Sequence, residues 1–119
     1  MYIAANIVVG LIAVLHIYFL VLEMFFWDKP MGLRAFGHTP EVAKVSKVLA
    51  ANQGLYNGFL SAGLIWGLWL GHEGTAIKIF FLGCILIAGI YGAMTAHRKI
   101  LFIQAVPAAI GLVLVTLSG

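Results

Sequence analysis

The chain is 119 residues long, with hydrophobic residues at 63%, charged residues at 9% and a net charge of +3. A soluble domain averages roughly 25% charged residues, so a water-soluble globule is excluded as the simple reading. The excess charge is not a nucleic-acid footprint either, because no basic face is left free of the apolar segments to meet one.

Charges are clustered and leave four long apolar windows. Residues 3–27 hold one acid, Glu23, and no base, while residues 48–70, 79–96 and 100–118 hold no charge. A helix rises about 1.5 Å per residue, so each window is long enough to cross a hydrocarbon layer of about 30 Å. The expected fold is all-α: an integral membrane four-helix bundle in a single domain, with helices over 3–27, 48–70, 76–96 and 99–118.

The first helix is expected to stay in place, because it has no basic segment before it, a long apolar run and no small-x-small cleavage site. Tyrosine aside, it carries two titratable side chains, His16 and Glu23, seven residues apart and therefore on one face.

A connection over 28–47 follows. "DKPMGLRAFG" reads as turn-like, with Pro30, Gly32 and Gly37 as breakers. "HTPEVAKVSKVLAANQ" reads as a helix start, capped by Thr39, with Pro40 at the first position and Glu41 at the positive end of the dipole. This gives a short amphipathic segment before the second membrane helix. Lys29, Arg34, Lys44 and Lys47 in the connection, with Arg98 and Lys99 in the last turn, oppose Lys78 alone among side chains on the other side. That bias places both basic connections in the cytoplasm and both termini outside it, in a bacterial plasma membrane.

The second helix opens with "NQGLYNGFL". Counted inward from the cytoplasmic ends, Glu23 lies about 6 Å deep, Asn52 and Gln53 about 6–8 Å, and Tyr56 and Asn57 about 12 Å. On the third and fourth helices Tyr91, Thr95 and Gln104 fall at about 8, 2 and 6–8 Å. Pro107, three residues after Gln104, should kink the fourth helix by denying a donor to the Ile103 carbonyl. A shared depth points to one polar pocket in the cytoplasmic half, formed by His16, Glu23, Asn52, Gln53, Tyr56, Asn57, Tyr91, Thr95 and Gln104. A carboxyl within hydrocarbon must face the interior and find partners. Glu23 then makes the pocket a candidate site for a small molecule, with a proton exchanged as it binds. Two other readings stand beside this one: an enzyme or redox protein acting on a lipid-soluble substrate such as a quinone, and a structural subunit whose amides fix helix register.

No cofactor and no metal site is expected. His16 is the one deep histidine, and the lone Cys84 can form no internal disulfide. Gly54, Gly58, Gly63 and Gly67, like Ala88, Gly92 and Ala96, follow a small-xxx-small spacing that lets helices approach closely. They serve packing or a homo-oligomer contact, with the lipid bilayer as the other partner.

"LHIYFLVLEMFFW", "NQGLYNGFLSAGL", "FFLGCILIAGIYGAMT" and "KILFIQAVPA" together resemble the small bacterial integral membrane proteins grouped as domain of unknown function 1304. The resemblance spans nearly the whole chain. It implies a four-helix fold and a plasma-membrane home, and it implies no activity.

Overall fold

The computed structural model describes residues 1–118. Among them the chain is helical throughout apart from short turns: α1 (Tyr2–Phe25), α2 (Pro30–Phe36), α3 (Pro40–Trp69), a 3-10 turn (Gly71–Gly74), α4 (Thr75–Thr95), a π-helical turn (Leu101–Ala105) and α5 (Val106–Ser118). Two compact units make up the chain, residues 14–61 and the pairing of residues 1–13 with 62–118.

Three stretches are long and apolar enough to cross a membrane: Tyr2–Phe25, Gly71–Thr95 and Leu101–Ser118. The expected four are thus reduced by one on composition. The helix that falls short is α3, whose 30 residues include Lys44 and Lys47 and the amide-rich run from Asn52 to Asn57. The helix count differs from expectation in the other direction as well, because the connection holds a helix of its own.

That helix, α2, replaces the turn expected over "DKPMGLRAFG". Each supposed breaker has a helical use. Pro30 opens the helix, where its missing N–H is no loss. Gly37 closes it in the left-handed conformation at φ 66°, donating its N–H to the Leu33 carbonyl. Gly32 is buried inside it, and a Cβ there would lie 2.0 Å from the Phe26 carbonyl oxygen, so only glycine fits.

The start of α3 follows the sequence closely. The Val42 N–H donates to Thr39 Oγ1 at 3.2 Å, and Pro40 and Glu41 occupy the first turn. A small clasp holds the connection onto this helix. Trp27 donates from Nε1 to Ser46 Oγ at 3.0 Å, and the Ser46 hydroxyl donates to the Val42 carbonyl at 2.6 Å. The His38 ring stacks on Trp27 at 4.1 Å and reaches the Trp27 carbonyl through Nε2 at 2.9 Å. Lys47 pairs with Asp28 at 3.0 Å, and this hydrogen bond holds the exposed Asp28 carboxyl below its ordinary pKa.

Within residues 14–61, α3 turns Ala43, Ala50, Gly54, Asn57 and Ser61 inward. These are small or short side chains on one helical stripe, so α1 can approach closely. Gly54 lies against Leu20, Glu23 and Met24, and Gly58 against Leu20.

The other unit is built on the same device. Gly74 sits so close to Gly67 that a Cβ would come 2.0 Å from its carbonyl oxygen, which draws the ends of α3 and α4 into a tight hairpin around Gly71 at φ 65°. Gly63 faces the Phe81 ring, and Gly89 faces the backbone of Ala105. Val9, Ile12, Leu64, Leu82, Ile85, Ala108 and Val115 are buried in this unit. Just before Pro107, where a kink was expected, the helix takes a π-helical turn over Leu101–Ala105.

Candidate functional site

The centre of the site is a carboxyl buried among amides. Glu23, two residues before the end of α1, is 2% exposed. Asn57, on the inward stripe of α3, donates a short hydrogen bond from Nδ2 to Glu23 Oε1. The exposed Gln53 side chain, one turn earlier on α3, approaches the same carboxyl. Gly54 lies between those two amides in sequence, and its missing side chain leaves room for the Glu23 stem, whose Cβ would otherwise be met at 3.1 Å. No lysine or arginine is among the groups that hold this carboxyl. The arrangement can accept a hydrogen-bond donor or cation, or pass a proton.

His16 is fully buried on the same helix, with its ring edge-on to Phe19 at 5.3 Å. The seven-residue spacing therefore does put His16 and Glu23 of α1 on its buried face.

Asn52 and Tyr56 do not join them. Both are exposed. Successive residues turn about 100° around a helix, so Tyr56 points roughly 100° and Asn52 roughly 140° away from Asn57. Asn52 donates from Nδ2 to the Val48 carbonyl of its own helix at 2.9 Å, and the Tyr56 ring meets Phe59 edge-on. Depth alone grouped these four residues; the helix angle separates Gln53 and Asn57 from Asn52 and Tyr56.

In the other unit Tyr91 and Thr95 are exposed, and the Thr95 hydroxyl donates to the Tyr91 carbonyl at 2.7 Å within α4. Gln104 lies half-buried on the π-helical turn. Among the described residues, no three His, Cys, Asp or Glu side chains gather to hold a metal.

One polar group was not anticipated. Lys78, counted from sequence as a charge outside the bilayer, is buried at 2% exposure in the unit formed by residues 1–13 and 62–118. Its ammonium donates to Asn6 Oδ1 at 2.9 Å and to the Gly71 carbonyl at 3.4 Å, and lies 5.3 Å from the centre of the Tyr2 ring. Tyr2 in turn stacks on His72 at 4.0 Å. Polar groups are thus not confined to one end of the helices. The available signal was Asn6, an amide inside the first apolar window. Ser61 was also overlooked; it is buried four residues after Asn57 on the same stripe.

These features define a small, all-helical protein of membrane type, with a buried acid held by amides rather than by a cation. The family model described as "Protein of unknown function (DUF1304)" matches residues 10–116, and the chain belongs to that family. It is also similar to the protein named "Uncharacterized protein YpaA" of Lactococcus lactis subsp. lactis (strain IL1403). The two are 30% identical over 105 residues, covering 87% of this chain and 88% of that one. No solved structure matches the chain.

Proposed function

We propose that this protein is a four-span plasma-membrane protein that binds or carries a small molecule at Glu23, exchanging a proton as the ligand enters and leaves. The observation that carries the reading is the Glu23–Asn57–Gln53 group: a carboxyl withdrawn from water and held by neutral donors alone. A buried acid with no cation is an expensive way to fix helix register. An amide pair would do that at less cost, so the acid asks for a functional reason.

In this reading α3 spans the membrane with α1, α4 and α5, although its amides lower its hydropathy. Its deficit lies in the run from Asn52 to Asn57, where Asn57 is satisfied by Glu23 and one N–H of Asn52 by the Val48 carbonyl, and groups satisfied by protein do not have to be solvated by lipid. Both basic connections face the cytoplasm, both termini lie outside, and the site opens in the cytoplasmic half of the bilayer. His16, deeper on the buried face of α1, would be the second titratable group of the pathway.

The test is a native mass spectrum of the protein released from mild detergent, recorded for the wild type and for Glu23→Gln. A bound non-lipid mass in the wild type that disappears in the variant supports a ligand site at Glu23, and the identity of that mass tells carriage from catalysis. A mass retained unchanged in Glu23→Gln, or a bare chain in both, overturns the reading and leaves the amides as helix-packing groups.

A further inference from the structure

The outward face of α3 carries a pattern that packing within the chain does not use. Val45, Leu49, Asn52, Tyr56 and Phe59 are all exposed, Val45 at 83% and Tyr56 at 62%. Their spacing alternates four, three, four, three, the repeat that keeps a narrow stripe facing a partner helix. On a helical wheel they span roughly 80° and lie opposite the stripe of Ala43, Ala50, Gly54 and Ser61 that packs inward.

This stripe suits neither water nor lipid. Val45, Leu49 and Phe59 are costly to leave in water. The Asn52 amide and the Tyr56 hydroxyl are costly to leave in hydrocarbon, where no solvent answers them. One N–H of Asn52 is used on its own helix, at the Val48 carbonyl. The rest of that exposed carboxamide can donate and accept, as can the phenol, so the stripe is its own hydrogen-bonding complement. From Val45 to Phe59 it bears no charge, since Lys44 and Lys47 point to other sides of the helix; Glu41, one turn before Val45 on the same side, lies in the first turn of α3 beyond the contact.

We propose that a second copy of the chain covers this face, with α3 packed against α3 in parallel about a two-fold axis. Copies inserted under one charge bias share one orientation, so each stripe residue meets its own counterpart across the axis. Asn52 pairs with the partner's Asn52 in the manner of a buried asparagine in a coiled-coil seam, which fixes register and two-fold stoichiometry. The glycines play no part in this contact: Gly54 and Gly58 are already occupied by Leu20, Glu23 and Met24 of their own chain.

The test uses single cysteines in a Cys84→Ser background, oxidised in native membranes and read as a doubled mass on a denaturing gel. Val45→Cys and Tyr56→Cys lie on the stripe. Lys44→Cys and Leu55→Cys are their exposed neighbours at nearly the same depth, turned about 100° away. The stripe positions are expected to form the disulfide-linked dimer several-fold faster than their neighbours. In mild detergent, Asn52→Leu is expected to raise the dimer dissociation constant by roughly 3- to 30-fold. Equal cross-linking at neighbouring positions, a monomeric mass in mild detergent, or a cross-linked band containing a different protein overturns the proposal.

Discussion

Replacing Asn57 by leucine should destabilise the protein more than replacing the acid it binds. In Asn57→Leu the Glu23 carboxyl stays buried but loses its hydrogen bond from Asn57, leaving Gln53 as the amide that reaches it. Depriving a buried polar group of one partner costs about 1–3 kcal/mol, and hydrogen bonds between membrane helices rarely exceed about 1.7 kcal/mol. The expected loss is therefore about 1–2 kcal/mol, or a factor of roughly 5–30 in the folded ratio. Glu23→Gln keeps an oxygen for the Asn57 donor and removes the acid, so its loss should be smaller. With Glu23→Leu in place, which leaves Asn57 no oxygen to meet, Asn57→Leu should cost less than it does in the wild type, with a coupling of about 0.6–1.7 kcal/mol. Tryptophan fluorescence in mixed micelles of rising dodecyl sulfate content measures each of these proteins. If Asn57→Leu is as stable as the wild type, or costs the same in both backgrounds, Asn57 does not hold Glu23 and the site loses its geometric basis.

Five further variants can be checked by the same titration. Gly89→Ala should cost about 1–3 kcal/mol, because its Cβ would come 2.6 Å from the Ala105 nitrogen. Gly83→Ala, on the same helix with nothing within 4 Å, should be neutral or stabilise by about 0.5–1 kcal/mol. Asn6→Leu strands the buried Lys78 ammonium with the Gly71 carbonyl and the Tyr2 ring, and should cost about 1.5–3 kcal/mol; Lys78→Met, which removes the charge itself, should cost less. Asp28 is held below its ordinary pKa by Lys47, so its contribution is present above the unfolded carboxylate value of about 3.9 and lost as pH falls through the lower folded value. The stability gap between wild type and Asp28→Asn should be small, as for any exposed pair, and should close over that acid range.

The amino-acid sequence by itself determined the helical class, the start of α3 and the residues capable of chemistry. These are local or compositional properties. Charge-free windows impose helix because unpaired backbone groups have no place in hydrocarbon. Thr39, Pro40 and Glu41 cap a helix wherever it goes. The seven-residue spacing of His16 and Glu23 fixes a shared face on any regular helix.

Only the tertiary structure decided which face of α3 meets α1. Asn52, Gln53, Tyr56 and Asn57 share a depth, and depth says nothing of rotation. A helix that is apolar nearly all round, broken by glycines on one side and amides on two, has several faces that could pack inward. The choice fell on the stripe of Gly54, Asn57 and Ser61, because small side chains let the Glu23 stem and Met24 come close. That contact carried Asn57 and Gln53 to the carboxyl and turned Asn52 and Tyr56 away from it. Lys78 was settled in the same way. Its charge marks an outer end when the chain is read residue by residue, but Asn6 and the Gly71 carbonyl, brought to it from far and near in the chain, supply the hydrogen bonds that let it be buried.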